Sequence, residues 1–120
     1  MKARSIVAVL LVVALGAMFT VDVLAQTEIT VQSRDFAWTG KSGQNANYRW
    51  SATIDNPSGR DLNVRVTMEM LDDSGNVVGS DSADLMLPRR ESSSVDQTAS
   101  IAYATAQTAR QYRIVLMEIE

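Results

Sequence analysis

The chain has 120 residues, contains no cysteine and no histidine, and carries a net charge of −3. The missing cysteines exclude a disulfide scaffold, and the missing histidines remove the commonest general base and transition-metal ligand, so a Ser-His-Asp triad is impossible. The acidic balance also disfavours nucleic acid as a partner. We therefore expect no enzyme activity, no catalytic residues, no metal site and no cofactor.

The first 25 residues have the pattern of a secretory signal peptide. Lys2 and Arg4 form a basic start, residues 6–19 are almost unbroken apolar sequence, and small residues at positions 23 and 25 precede Gln26. The alternative is an uncleaved membrane anchor, because a span needs about 20 predominantly apolar residues, although Asp22 interrupts this one. We predict cleavage before Gln26, which would place the mature chain outside the cytoplasm, in the periplasm or secreted.

Removal of residues 1–25 leaves one domain, residues 26–120, with a single hydrophobic core. The lost segment contains two basic residues and one acidic residue, so the basic residues fall from 11 to 9 and the acidic ones from 14 to 13, for a net charge of −4. A membrane would be a partner only if the N-terminal segment stayed uncleaved.

The first predicted strands lie before residue 55. Residues 28–32 alternate between polar and apolar, and Phe36 and Trp38 share one face of an extended segment. Residues 39–47, TGKSGQNAN, contain nothing to bury and predict a flexible loop. A second alternating strand follows, with one apolar face formed by Tyr48, Trp50, Ala52 and Ile54.

Residues 62–70 carry the clearest strand pattern in the chain. Polar residues alternate there with five apolar ones, Leu62, Val64, Val66, Met68 and Met70. This period of two is typical of a strand with one face in a core and the other in water. Gly and Pro residues mark turns on both sides, at 56–59 and 72–75.

The rest of the chain predicts shorter elements. Val77 and Val78 form the return strand of a hairpin, residues 80–84 are polar like an edge strand or connector, and residues 85–87 return to the core. Residues 95–101 alternate weakly, and residues 102–109 predict a connector with one helical turn. The last strand places Tyr112, Ile114 and Leu116 on one face and Val115, Met117 and Ile119 on the other.

Short strands with turn signals about every ten residues predict an all-β fold, an antiparallel immunoglobulin-like β-sandwich of about seven strands. Residues 54–58 (IDNPS) and 64–78 (VRVTMEMLDDSGNVV) resemble the FxLYD family of extracytoplasmic bacterial and archaeal sandwich domains, which is related to WHy-like sandwiches. Met68 and Leu71 stand where that family prefers aromatic residues, and Arg89 follows Pro88 where glycine is usual. The resemblance implies a fold and an extracytoplasmic setting, and no activity.

Two short motifs allow binding interpretations. Gly40-Lys41-Ser42 has the end of a phosphate-binding loop, but Asp35 stands at the position of its first glycine. Asp72, Asp73 and Asn76 are explained by hairpin geometry, with a loose surface calcium site as the alternative.

The sequence supports two classes of function. We expect a non-enzymatic exported module that mediates protein–protein contact or envelope assembly, with another envelope or extracellular protein, or a second copy, as its partner. The alternative is a small-molecule or carbohydrate-binding domain that uses Trp38 and residues 39–47. Burial of both Phe36 and Trp38 would favour assembly, and exposure of both would favour ligand binding.

The outward residues of the last strand complete the candidate interaction surface. The outer face of a sandwich is normally polar, so these side chains need a cover from the N-terminal segment or from another chain. The candidate surface is Phe36, Trp38, Val115, Met117 and Ile119.

Export can be tested by mass spectrometry of the envelope fraction and the culture fluid. We expect a mature species that begins at Gln26 or within a few residues of it. A full-length species embedded in the membrane would instead establish the anchor alternative.

Overall fold

The computed structural model describes residues 9–15, 18–24 and 29–119. These residues form eight strands and one short helix: β1 (Val9–Leu15), β2 (Met18–Leu24), β3 (Thr30–Ser42), β4 (Asn45–Asn56), β5 (Leu62–Leu71), β6 (Val77–Leu87), β7 (Glu91–Ala102), α1 (Tyr103–Ala106) and β8 (Gln111–Ile119).

The strands form two sheets, one with the order β3-β4-β7 and one with the order β1-β2-β8-β5-β6. Every pair of neighbours is antiparallel except β2 and β8, which run parallel. Counted from β3, the first, second and fifth strands share one sheet and the third, fourth and sixth share the other, an arrangement like that of immunoglobulin-like sandwiches. The predicted all-β sandwich is confirmed.

The core lies between β4 on one side and β5 and β8 on the other. All five predicted inward residues of β5 are buried, and the intervening Asn63 and Arg65 are exposed. The predicted inward faces of β4 and β8 are buried as well. Each strand thus presents alternate residues to the core, which confirms the register predicted from the period of two.

The predicted turn after β4 is held by the buried side chain of Asn56. Its Nδ2 donates to the backbone carbonyls of Arg60, Leu87 and Pro88 at 2.8, 3.1 and 3.2 Å. Its Oδ1 accepts from the backbone N–H and the hydroxyl of Ser58 at 3.1 and 2.7 Å. One buried amide therefore joins the β4–β5 turn to the end of β6, and its own polar atoms are satisfied.

The prediction of a loop for residues 39–47 is wrong. β3 continues to Ser42 and β4 starts at Asn45, so only Gly43 and Gln44 form the turn. Gly43 has φ of 60°, a conformation that glycine adopts without strain at the first turn position of a hairpin. The residues are polar, but backbone pairing does not require apolar side chains, and β4 also pairs with β7 as far as Asn45 and Ala102.

The domain from residue 29 onward contains six strands, where the sequence predicts about seven. β3 and β6 are each continuous through segments that the sequence divides into separate short elements. The single helical turn predicted within residues 102–109 is confirmed as α1, and the polar residues 80–84 lie in the edge strand β6.

Two of the strands lie in the predicted signal peptide. β1 and β2 form a hairpin, and β2 pairs with β8. The predicted cleavage site before Gln26 lies outside the described residues, so removal of this segment stays a prediction. Within the described part of the chain, no helix has the length and hydropathy needed to span a membrane.

The register of β5 can be tested by substitution on its two faces. Val66 and Met68 are fully buried, so Val66→Ala or Met68→Ala should lower the free energy of unfolding by about 2–4 kcal/mol through lost transfer energy and a residual cavity. Arg65→Ala should change it far less, because its ion pair with Asp84 is exposed and screened by water. Urea denaturation measures all three. Equal losses at Arg65 and Val66 would contradict the register.

Candidate functional site

A cleft lies at the end of the sandwich where the β3–β4 hairpin turns. β7 ends there too, since Ala102 pairs with Asn45, and α1 follows at once. The backbone N–H of Tyr103 donates to the carbonyl of Gln44 at 2.7 Å, which fixes the start of α1 against the hairpin turn. Residues distant in sequence therefore meet at this end.

A cluster of aromatic side chains leads from the core to this cleft. The Phe36 ring lies 5.0 Å from the ring of Tyr112, measured between centroids, and 5.6 Å from that of Tyr48. The Trp38 ring meets Phe36 and Tyr48 edge to face, at 5.1 and 5.9 Å. Phe36 is partly buried against the core, whereas Trp38 is 38% exposed. The two residues therefore divide between the core and the surface.

The cleft has a volume of about 570 Å³, and a neighbouring cavity has a volume of about 270 Å³. Lys41 and Tyr103 line both of them, so this pair of side chains stands between the two spaces. The larger cleft is lined by Trp38, Thr39, Gly40, Lys41, Ala46, Tyr103, Ala106 and Gln107. The smaller is lined by Lys41, Gly43, Gln44, Ala102, Tyr103 and Ala104.

The ammonium group of Lys41 lies over an aromatic ring. Its Nζ is 4.1 Å from the centroid of Tyr103, which is 39% exposed. The negative face of the ring attracts the cation and restricts its position. Among the side chains that the structure describes, no carboxylate forms an ion pair with Lys41. The charge therefore remains available at the cleft.

The other predicted interaction residues lie on a different surface. Val115, Met117 and Ile119 are half-buried on the outer face of β8. Phe36 and Trp38 belong to the opposite sheet, and Phe36 packs on Tyr112, so these aromatic residues do not cover the outer face. The five predicted residues thus form two separate surfaces, because β3 and β8 belong to different sheets.

The Asp72–Asn76 segment is a hairpin turn held by the carboxylate of Asp72. Its Oδ1 accepts from the backbone N–H groups of Asn76 and Ser74 at 3.0 and 2.9 Å, and Gly75 has φ of 83°. These hydrogen bonds, first that of Asn76, hold the pKa of Asp72 below its ordinary value. The observed bonds support the turn interpretation, and no group of three or more acidic residues among the described side chains is arranged to hold a metal.

Other shifted groups lie along the sheets. The hydrogen bond and charge of Arg49 lower the pKa of Asp96, and those of Arg65 lower the pKa of Asp84. Burial, and then the charge of Asp81, raises the pKa of Tyr48. None of these groups lines the cleft.

Sequence reasoning missed the pairing of Lys41 with Tyr103. The sequence of Gly40-Lys41-Ser42 matches the end of a phosphate-binding loop, but in the structure these residues lie in β3. Tyr103 is an aromatic residue at the start of α1, and nothing in its local sequence marks it as a binding residue. Lys41 and Tyr103 are far apart in the sequence and come together because β4 pairs with both β3 and β7, so no local pattern connects them.

Comparison with known proteins identifies similar folds but does not assign the chain to a family. No protein-family model matches the chain, and no curated protein matches it. The FxLYD resemblance is therefore confirmed only as a β-sandwich fold.

Several solved structures contain a similar sandwich. A β-glucuronidase of glycoside hydrolase family 2 matches with a TM-score of 0.54 and 12% identity over 69% of this chain. A putative β-galactosidase from Bacteroides fragilis gives 0.51 and 11% over 69%. This chain spans only 11% and 15% of those two proteins. A DUF1425 family member from Shewanella sp. pv-4 matches with a TM-score of 0.48 and 15% identity, over 100% of this chain and 98% of its own.

The lowered pKa of Asp72 gives a pH prediction. A carboxylate whose pKa is lower in the folded state stabilises the fold fully above its unfolded pKa of about 3.9, and the contribution disappears as the pH falls through the folded value. The melting temperature should therefore be level above about pH 5 and fall below about pH 4. In Asp72→Asn the acid decline should be smaller, because asparagine does not titrate. Superimposable pH profiles would contradict a role for this carboxylate.

Proposed function

We propose that this chain is a non-enzymatic module that acts outside the cytoplasm and assembles with another protein through β8. The observation that supports this most directly is the pairing of β2 with β8. Five residue pairs join them in parallel, from Phe19 with Gln111 to Val23 with Val115. The edge of β8 that faces away from β5 is therefore able to accept a strand.

Export would change the state of this edge. If residues 1–25 are removed, β2 is removed with them, and β8 keeps only its antiparallel neighbour β5. Backbone N–H and C=O groups along the vacated edge then lack strand partners, which is the usual template for strand addition by another chain. The acceptor edge would thus open when the protein reaches its destination.

The surroundings of β8 favour contact at the edge over contact across a broad face. Val115 and Met117 lie beside Thr67 and Arg65 of β5, and Arg113 forms an ion pair with Glu69 at 2.6 Å. The outward apolar side chains therefore make a narrow stripe that polar residues border on the β5 side. A partner strand beside β8 would cover that stripe and satisfy the edge together.

Charge on this stripe tests the assembly proposal. We expect Met117→Lys, in protein purified from cells that express the complete chain, to stay folded and to lose capture of its partner or self-association by about tenfold, which corresponds to about 1.4 kcal/mol. Affinity capture from the envelope fraction and light scattering measure the loss, and circular dichroism checks the fold. Thr67→Lys places the same charge on the same face of β5 and should keep assembly.

Two outcomes would contradict the proposal. One is full association in both variants. The other is equal loss of association in both, since that would move the contact from β8 to the face of the sheet. If Met117→Lys unfolds, Ile119→Lys near the end of β8 repeats the comparison.

A second candidate function is the binding of a small molecule or carbohydrate at the cleft. It is supported by the half-exposed ring of Trp38, together with a volume of about 570 Å³ that lies within the usual range for ligand pockets, about 300–1,000 Å³. Because Phe36 belongs to the core, Trp38 alone of the predicted aromatic pair would contact the ligand.

A further inference from the structure

We propose that the cleft binds a saccharide that carries a carboxylate group, with Trp38 as the platform for a sugar ring and Lys41 as the cation that pairs with the carboxylate. The inference rests on the second candidate function and names its class of ligand. It depends on the charge of Lys41, on the fixed position of Trp38 and on the way the two cavities meet.

Lys41 differs from the arginines of this protein in the partner of its charge. The described arginines Arg49, Arg65 and Arg113 hold carboxylates at 2.6 to 2.8 Å, so their charges are compensated within the protein. Lys41 contacts an aromatic ring, and no carboxylate of the described side chains is within ion-pair distance. A ligand carboxylate would supply the missing partner, on a protein that otherwise repels anions through its net charge of −3.

The position of Trp38 is set before any ligand arrives. Edge-to-face packing on Phe36 and Tyr48, at interplanar angles of 86° and 83°, holds the ring while leaving 38% of the residue exposed. The negative face of an indole attracts the C–H groups that cover one side of a sugar ring. A fixed platform also loses little side-chain entropy on binding.

The remaining lining suits hydroxyl groups and a flat ring. Thr39 and Gln107 offer neutral hydrogen-bond donors and acceptors. Gly40, Ala46 and Ala106 have small side chains or none, so they leave room for a ring to approach the wall. A cation near the exposed ring of Trp38 fits a carboxylate attached to a sugar ring better than a carboxylate on a flexible acidic peptide side chain, because only the sugar supplies a flat apolar face for the indole.

The two residues that line both cavities indicate a ligand longer than one sugar. Lys41 and Tyr103 border both the cleft of about 570 Å³ and the cavity of about 270 Å³. A linear chain could place one unit against Trp38 and the next beyond Tyr103, with a carboxylate between them at Lys41. We therefore infer that the ligand is a short stretch of an acidic polysaccharide.

The test uses calorimetric titration of protein purified after expression of the complete chain. The probes are tetramers of galacturonic acid and of mannuronic acid, their neutral methyl esters, and tetraglutamate. The esters keep the shape of the sugars and remove the charge. We expect at least one acid tetramer to bind, and its ester to bind at least about fivefold more weakly because the charge-assisted pair is lost.

Variants assign the effect to residues. Lys41→Gln should weaken binding of the acid tetramer by at least about fivefold. Its binding of the ester should not change, because the ester has no carboxylate to pair with Lys41. Lys41→Arg should restore binding of the acid. Arg89→Gln removes one positive charge at the opposite end of the sandwich, where Asn56 of β4 pairs with Glu91 of β7. This control should not change the affinity for the acid tetramer. Trp38→Leu should weaken binding of the acid and of the ester to the same extent. If Trp38→Leu unfolds, Tyr103→Leu is measured in its place.

Several results would overturn the inference. These are no binding of either acid tetramer, equal affinity for acid and ester, an unchanged affinity in Lys41→Gln, or tetraglutamate binding as tightly as the sugars. Tight binding of the esters that Trp38→Leu abolishes would reject the acidic class and keep the ligand-binding function. Absence of binding to all sugars would count against both, whereas the assembly proposal at β8 is tested separately.

Discussion

Packing of β4 against the opposite sheet is the interaction on which the rest of the structure depends. Trp50 is fully buried at its centre and faces a layer that includes Met68 and Ile114. Its indole N–H donates to Asp81 Oδ2 at 2.8 Å, so the ring is buried without leaving a polar group unsatisfied. Because β4 pairs with β3 and β7 along its whole length, this contact also positions the hairpin and α1 that form the cleft.

The two ends of the sandwich differ in how their turns are held. At one end the buried amide of Asn56 binds the β4–β5 turn to the end of β6. At the other end the hairpin and α1 meet through few hydrogen bonds, and open space remains between Trp38 and Tyr103. In such folds the loops and strand ends are free to vary while the core supplies stability.

The two proposed surfaces are compatible within one molecule. β8 lies in the sheet opposite to the hairpin that bears Lys41, and its outer face points away from the core. A partner strand beside β8 would therefore leave the cleft open. Phe36 connects the regions physically, since its ring contacts Tyr112 of β8 on the inner side and Trp38 at the cleft.

The sequence by itself determined the strands whose side chains alternate. The inward faces of β4, β5 and β8, the turns at Asn56 and Asp72, and the sandwich class were all predicted, because alternation and turn chemistry are local properties of the chain. Only the tertiary structure decided that polar residues 39–47 extend a hairpin, that β2 pairs with β8, and that Lys41 meets Tyr103. Backbone pairing has no side-chain signature, and contacts between distant residues arise only when the sheets fix which strand ends lie together.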